Sequence, residues 1–358
     1  MRIVTDLKIA FVACNKNPGR FREDPAFIYR CDNLSYALKQ KGANVWMGHI
    51  SQLPWRQPFD VIVFHRPKWS VRFVLLVKWL QRCGTRVVAD FDDLVFSAEL
   101  AHFSPGVVNG MVPLANTQKL FDRHARAMAL VDHVTVSTAC LVNRVREKFS
   151  HKYITCIPNA IHWSWLDKPL QDTVRNSRTL AYMPGTRSHD RDFAWVASAL
   201  ERTLNAFPLV NLEITGPLNH GLSGWGSRVV HKEKMPFEQF EHAFKGIGLN
   251  LAPLINSPFN DCKSGIKVME AAWWGIPTVF THLPDAQRLV AAGGIQANTL
   301  AEFEEHLSRW QRNPETFSQK PQALRGAVLQ HADVHVFADD WLEKVAGVEL
   351  VQVEKCTV

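Results

Sequence analysis

The chain has 358 residues, of which 46% are hydrophobic and 21% charged; this composition suits two soluble domains with separate cores and excludes a membrane helix of roughly 20 apolar residues. Residues 1–160 hold 22 Lys and Arg against 12 Asp and Glu, a net charge of +10, whereas the remainder has a net charge of −3, so we expect the halves to face different partners. The seven cysteines include no C-x-x-C pair and the N-terminus lacks a convincing signal peptide, which indicates free thiols in a reducing cytoplasm without structural zinc.

Short apolar strands alternate with helices through the first half, a pattern typical of a doubly wound parallel sheet. The predicted strands are KIAFVAC, NVWMG, DVIVFHR, RVVADFD, HVTVS and YITCIPN. A helix is predicted to begin at Asp24-Pro25, where an N-cap residue precedes proline, and to end at Gly42. Further helices are expected over residues 70–82, after the loop 97–113, and from Thr138.

The polar segment 160–178 is interpreted as a linker between domains. A second alternation of strands and helices follows, with predicted strands RTLAYM, PLVNLEIT, GIGLNLAPL and GIPTVF. The segment HVFADDWLEKVAG is predicted to form a last amphipathic helix. The chain is therefore expected to hold two parallel α/β sheets.

Two carboxylates, Asp92 and Asp93, follow a predicted strand of the first half. Ligands of such sheets bind at the carboxyl ends of the strands, so either residue is a candidate to orient a hydroxyl or to act as a general base. Asp90 and Asp92 also have the D-x-D spacing that holds a divalent metal in other proteins, and Asp92 or Asp93 capping the next helix remains an alternative. Arg30, His65 and Arg66 are predicted to point to the same edge.

The first turn between strand and helix holds a single glycine, Gly19, and no G-x-G-x-x-G, which argues against a dinucleotide cofactor. The equivalent turn of the second half contains more residues that can bind a phosphate. Gly185 lets the backbone approach a phosphate, Thr186 can donate its hydroxyl, and Arg187 can bind a diphosphate through two hydrogen bonds. An ordinary turn with surface charges is the alternative.

The stretch DCKSGIKVMEAAWWGIP, residues 261–277, is predicted to be a helix that Ser264 caps, between two buried strands. Lys263, Lys267 and Glu270 fall on one side of this helix. Cations near a helix N-terminus suit a diphosphate, and a carboxylate one turn further can accept hydrogen bonds from two hydroxyl groups of a ribose. The alternative is a solvated helix whose Lys267 and Glu270 merely pair.

This stretch resembles the donor-site motif of GT-B glycosyltransferases, in the large retaining group with two glutamates separated by seven residues. Glu270 matches the second glutamate, which in the family holds the donor ribose, and Lys267 and Ser264 match positions that contact the donor phosphates. Cys262 stands where the first glutamate is expected. Gly185 and Arg187 resemble the family's Gly-Arg pair; the lysine that usually accompanies that pair is not matched, and His189 or Arg191 is a candidate substitute.

The resemblance implies two Rossmann-like domains that face a cleft: residues 1–165 for the acceptor, 166–330 for a nucleotide-sugar donor, and a helix over 331–358 that returns to the first domain. It implies a metal-independent, retaining glycosyltransferase with no cofactor. Its acceptor would be a lipid-linked glycan of bacterial O-antigen or capsule synthesis. A nucleotide-sugar 2-epimerase of the same fold, or a basic binding protein without enzymatic activity, remains an alternative; nucleic-acid binding is not expected.

Basic and aromatic residues cluster around the predicted helix 70–82: Lys68, Trp69, Arg72, Lys78, Trp79 and Arg82. Together with the positive charge of the first half, this cluster predicts peripheral binding to the anionic cytoplasmic face of a membrane. A core helix with solvated charges is the alternative.

Overall fold

The computed structural model describes residues 4–349, except 16, 150–152, 171–176, 220, 315–316 and 318–319. Over this part of the chain there are two six-stranded sheets, and all ten strand pairings are parallel. The prediction of two Rossmann-like parallel sheets is therefore confirmed.

The first sheet has the strand order β2-β1-β3-β4-β5-β6. Its strands are β1 Lys8–Ala13, β2 Asn44–His49, β3 Val61–His65, β4 Arg86–Phe91, β5 His133–Val136 and β6 Tyr153–Cys156. Every residue of β3 and β5 is buried, as expected for strands covered by helices on both faces. The register sets Ala13 of β1 level with His49 of β2 and His65 of β3, at the carboxyl edge.

The second sheet has the order β12-β11-β10-β7-β8-β9. Its strands are β7 Thr179–Tyr182, β8 Asn211–Thr215, β9 Val229–Lys232, β10 Leu249–Ala252, β11 Thr278–Phe280 and β12 Gly294–Gln296. A core that includes Leu180, Leu212 and Leu251 of these strands packs with Phe193 and Trp310 from helices. The sheet is thus anchored on a helical face by large apolar side chains.

The α-helices of the described residues follow in chain order: α1 Pro25–Phe27, α2 Asn33–Gln40, α3 Val71–Arg82, α4 Pro105–Val108, α5 Leu114–Met128, α6 Ala139–Lys148, α7 Trp163–Leu166, α8 Asp190–Ala206, α9 Ile266–Trp273, α10 Leu300–Arg312, α11 Pro321–Ala332 and α12 Val334–Trp341. The predicted start at Asp24-Pro25 is confirmed, because the Asp24 side chain accepts the Ala26 amide and Pro25 opens α1. Ser70 and Thr138 cap α3 and α6 in the same way. None of these helices is long and apolar enough to span a bilayer.

The chain divides into two compact units. Unit 1 comprises residues 4–92, 123–163 and 333–349, and unit 2 comprises 93–122 and 164–332, within the described ranges. The predicted last helix corresponds to α12 and a π-helical turn, Leu342–Ala346. It packs in unit 1, where the Trp341 ring lies 5.8 Å from that of Phe11 and Lys41 pairs with Asp339 at 2.6 Å. Residues 171–176 of the predicted linker lie outside the described residues.

The start of α9 differs from its prediction. The helix begins at Ile266 with Gly265 at the N-cap position, so Ser264 lies one residue before the cap. The Gly265 amide donates to Asp285 at 2.7 Å, which gives the helix start a carboxylate partner from a different segment. Ser264 and Lys263 are consequently loop residues next to the helix.

Candidate functional site

The turn after β7 leads directly into α8. Gly185 has a φ of +71°, and a side chain at this position would meet no heavy atom within 4 Å. Residues with positive φ are strained unless they are glycine, and the open space leaves the backbone of the turn accessible. The hydroxyl groups of Thr186 and Ser188 lie 2.6 Å apart within the turn.

Arg187 extends from this turn, with its side chain 61% exposed and its guanidinium 3.7 Å from Asp190. His189 is held differently, because its Nδ1 lies 2.8 Å from an oxygen of the buried Asp192. Burial lowers the pKa of His189, although the hydrogen bond with Asp192 opposes that shift. Arg187 is thus available to a ligand, whereas His189 holds the turn.

Lys267 and Glu270 lie on α9 in the same unit. The Lys267 ammonium donates to the carbonyl of Met183, in the turn after β7, so the helix and the turn are in direct contact. Burial lowers the pKa of Lys267 to about 8, and the charge of Glu270 opposes this. Glu270 itself is only 8% exposed.

The loop before α9 contributes a second lysine. The Lys263 ammonium lies 3.6 Å from a carboxylate oxygen of Asp93 and 5.5 Å from the centre of the Phe259 ring. Asp93 belongs to unit 2 together with this loop, whereas Asp92 belongs to unit 1. Cys262, which stands where the glutamate was expected, is fully buried.

Sequence reasoning missed Asn109, which follows α4. Its side-chain amide donates to the Ser188 carbonyl at 2.7 Å, and its oxygen accepts the Arg191 amide at 3.1 Å. Asn109, Ser188 and Asn260 line a cavity of about 210 Å³ in unit 2. The buried oxygen of the Asn260 side chain has no hydrogen-bond partner among the described residues.

In unit 1, Asp90 is the centre of a buried ionic network. Arg30 donates to both Asp90 oxygens, at 2.7 and 3.2 Å, and the Thr135 hydroxyl donates at 2.7 Å. His65 contacts the same carboxylate through Nδ1 at 2.9 Å. Burial raises the pKa of a carboxyl, but Arg30 and His65 hold the pKa of Asp90 well below its usual range.

Arg30 therefore occupies a setting other than the one predicted. Its side chain is 3% exposed, and it also bonds to the Ile157 carbonyl and to Asn159. A guanidinium with so little surface is not placed to contact an acceptor molecule. Its geometry is that of a residue that fixes Asp90, and through Asp90 the ring of His65.

The other groups lie at the end of the strands. Arg66 donates to an Asp92 oxygen at 2.6 Å, and Nε2 of His65 lies 4.0 Å from that oxygen. This buried nitrogen has no hydrogen-bond partner within the described part of the chain. Arg66 has a φ of +48° and, among the described residues, it is the one non-glycine with positive φ. Such strain persists only where the surroundings fix it, and it is common at functional sites.

Electrostatics keep Asp92 ionised. Burial raises its pKa, but the charges of Arg66 and His65 lower it to below the usual value. The side chain remains 12% exposed, so this carboxylate reaches the surface at this edge. Over the described residues, no group of three His, Cys, Asp or Glu side chains is arranged to hold a metal ion.

No protein-family model matches the sequence, and no curated protein matches it significantly. Solved structures do match. Sucrose-phosphate synthase from Thermosynechococcus elongatus superposes with a TM-score of 0.60 at 12% identity, over 93% of this chain and 97% of the other. HepE from Anabaena in complex with UDP-glucose gives 0.60 at 14% identity, over 96% and 100% of the two chains.

Trehalose-6-phosphate synthase from E. coli, bound with UDP-2-fluoro glucose, gives a TM-score of 0.63 at 10% identity, over 96% of this chain and 99% of the other. At these identities the likeness concerns the fold. The two parallel sheets and these similarities agree on one architecture. The chain has the GT-B fold of glycosyltransferases.

Proposed function

We propose that this protein is a glycosyltransferase that takes a sugar from a nucleoside diphosphate sugar and passes it to a hydroxyl of a glycan. The observation that carries the proposal is the contact of Lys267 with the Met183 carbonyl. It joins the strand–turn–helix segment 182–190 to α9, and we assign Gly185, Arg187, Lys267 and Glu270 to one donor site of unit 2. Matching nucleotide-sugar enzymes share the fold, which supports this choice of ligand.

In this proposal the donor diphosphate lies against the turn and the start of α9. The open backbone at Gly185 and the hydroxyl of Thr186 bind phosphate oxygens. The cations Arg187, Lys263 and Lys267 neutralise the charge of the phosphates. His189 positions the turn, and Ser264 belongs to the loop before α9. Glu270 accepts hydrogen bonds from the ribose hydroxyls. Fixed positive charge stabilises the diphosphate as it leaves with the electron pair of the sugar–oxygen bond.

The acceptor hydroxyl is assigned to the edge of unit 1. Asp92 accepts a hydrogen bond from that hydroxyl and orients it, and Arg66 and His65 position Asp92; Asp93 pairs with Lys263 instead. For retention at the anomeric carbon in a single step, the acceptor approaches on the face from which the diphosphate leaves. The departing phosphate oxygen then receives the hydroxyl proton. Metal is not needed because basic side chains neutralise the diphosphate.

We further propose that the acceptor is lipid-linked and that the protein works on the cytoplasmic face of an anionic membrane, in the synthesis of a surface polysaccharide such as O-antigen or capsule. Helix α3 supports this assignment. Phe73, Val77 and Leu80 are buried, whereas Val71 and Leu75 are 65% and 63% exposed. The exposed apolar residues lie beside Lys78 and Arg82, as on a helix that binds a membrane surface.

A thermal-shift screen against UDP-, GDP-, ADP- and dTDP-sugars tests the proposal. A ligand at a hundred times its Kd stabilises the protein by about 2.7 kcal/mol, which gives a measurable rise in Tm. Lys267→Met and Glu270→Gln should each reduce nucleotide-sugar affinity by about 1.5–3 kcal/mol, the range for hydrogen bonds to charged groups. Lys245→Ala, at an exposed position of the same unit, is the control.

The same nucleotide-sugar incubated without acceptor separates a transferase from an epimerase. A transferase leaves the sugar unchanged or hydrolyses it slowly, whereas an epimerase converts it to an isomer. If no nucleotide-sugar raises the Tm, or if both variants bind like the parent, the donor site is wrongly assigned.

A further inference from the structure

A cavity of about 440 Å³ opens at the carboxyl edge of β1 and β2 in unit 1. The loop after β1, the end of β2 and the turn that follows it supply its lining, which includes Arg22, Trp46, Gly48 and Gln52. None of the residues assigned above to donor or acceptor lines it. The cavity is therefore a separate feature of unit 1 that needs its own explanation.

Trp46 and Gly48 project from the same face of β2, because side chains two residues apart on a strand share a face. The indole ring lies directly over Gly48: a Cβ at this position would come within 2.6 Å of two of its ring carbons. The glycine is thus required for the ring to lie along the strand. The indole is partly exposed where it lines the cavity.

Polar groups surround this aromatic surface. The side-chain oxygen of Gln52 accepts the His49 amide at 3.4 Å, which holds Gln52 at the rim of the cavity. Arg22 is exposed and contributes a guanidinium on the side of the loop. An aromatic face surrounded by amide and guanidinium donors suits a pyranose ring, whose C–H groups pack on the indole while its hydroxyls accept and donate hydrogen bonds.

The position of the cavity within the sheet indicates which part of an acceptor glycan would reach it. His49, at the end of β2, and His65, at the end of β3, are both level with Ala13 of β1. The end of β2 is therefore two strand spacings, together roughly 10 Å, from the end of β3 that holds His65. A glycan with its reacting hydroxyl at Asp92 spans such a distance only with more than one sugar.

We propose that this cavity binds a distal sugar of the acceptor glycan, stacked on Trp46 with its hydroxyls bound by Arg22 and Gln52. The acceptor is then an oligosaccharide of at least two residues, whatever its anchor. This inference rests on the proposed glycosyltransferase function, and it adds a determinant of acceptor length.

Saturation-transfer NMR and calorimetry with neutral oligosaccharides test the subsite. The probes are linear gluco-, manno-, galacto- and N-acetylglucosamine oligosaccharides of two to four residues, with the corresponding methyl monosaccharides, all in the presence of saturating UDP. At least one oligosaccharide series should bind, more tightly than its monosaccharide. Trp46→Ala should weaken this binding at least tenfold, and Trp46→Phe should weaken it less.

Gly48→Ala provides an independent variant, because it keeps the indole but displaces its ring, and it should match Trp46→Ala. The control is Tyr153→Ala, which removes an aromatic side chain, 73% exposed, from the opposite edge strand β6. UDP affinity should be the same in all four variants. Far-UV circular dichroism and Tm show that each variant is folded.

The subsite is refuted if no oligosaccharide binds to the parent protein, or if Trp46→Ala and Gly48→Ala bind as the parent does. Displacement of a bound oligosaccharide from Trp46 by excess UMP or AMP would also refute it, because the cavity would then prefer a nucleobase. If the parent protein does not bind UDP, that result instead contradicts the proposed function.

Discussion

Lys267 has a lowered pKa and belongs to the proposed donor site, so its titration should be visible in ligand binding. Its pKa of about 8 lies below the ordinary value because burial disfavours the cation. Below pH 8 the ammonium is present and attracts the diphosphate; above pH 8 it is lost. The affinity for UDP should therefore fall as the pH rises from 7 to 9.5, by up to tenfold per unit above the pKa.

Calorimetric titration with UDP across this range measures the effect. In Lys267→Met the profile should be flat at a weaker affinity. A parent profile that does not change between pH 7 and 9.5 would show that Lys267 does not contact the diphosphate.

Arg30 should act through stability. Removal of one partner of a buried ion pair leaves an uncompensated charge, which costs about 3–5 kcal/mol, so Arg30→Met should lower the free energy of unfolding by that amount. Arg30→Met combined with Asp90→Asn should lose less than the single variant, because the stranded carboxylate is gone. Urea unfolding measures both, and UDP affinity, which belongs to unit 2, should not change.

The sign of the pH dependence follows from Asp90. Its pKa is depressed in the folded protein, so its contribution to stability is present above the unfolded value of about 3.9 and is lost as the pH falls below it. Arg30→Met should therefore unfold at a higher pH in acid titration than the parent. A variant as stable as the parent at neutral and acid pH would restore the predicted role in acceptor binding.

At the scale of the element, α3 carries the proposed membrane contact. Its exposed face combines Val71 and Leu75 with Lys78 and Arg82. Each Lys or Arg near an anionic surface contributes about 1 kcal/mol. Leu75→Glu should therefore reduce binding to anionic vesicles without affecting the fold, because the side chain is in solvent.

Co-sedimentation with vesicles of phosphatidylglycerol and phosphatidylcholine measures this binding at 0.1 M and 1 M salt. The parent should pellet with anionic vesicles at low salt and be released at high salt, as the Debye length falls from about 10 Å to about 3 Å. The conservative variant Leu75→Met is the control. Equal recovery in the supernatant with anionic and neutral lipid would leave the positive charge of the first half unexplained.

The elements that the sequence predicts well are those that a local pattern defines. The strands of the first half are apolar runs, and the predicted cap at Asp24 is present. Helices α3 and α6 begin directly after Ser70 and Thr138, where helices were expected. The strands β9 and β12 were not predicted, because β9 is half-exposed and β12 contains a single large apolar residue, Ile295. The start of α9 was misplaced because Asp285, twenty residues away, partners the Gly265 amide.

The same distinction applies to the site. Lys267 and Glu270 are separated by one helical turn, so a local pattern was enough to predict that they share a face. The partners of Asp90 lie 25 to 60 residues away along the chain, and Asn109 contacts a turn 79 residues away. No local spacing signals such contacts, and the catalytic role predicted for Asp92 and Asp93 stays a prediction.

At the scale of the whole molecule, the distribution of charge along the chain agrees with the proposed roles of the two halves. The basic first half contains the surface assigned to membrane and acceptor, and the second half has a net charge of −3. Because Lys263, Lys267 and Arg187 supply the positive charge that a diphosphate needs, donor binding should not depend on a divalent cation. The independence from metal can be examined together with the donor site in one experiment on the full chain.

Hydrogen–deuterium exchange with the nucleotide-sugar that stabilises the protein most, in EDTA and again with Mn²⁺, tests the central claim most directly. The account predicts slower amide exchange in the segments 183–191 and 262–271, equal with and without metal, and no such protection in Lys267→Met at the same ligand concentration. Protection of other segments of unit 2, or protection that appears only with Mn²⁺, would contradict it.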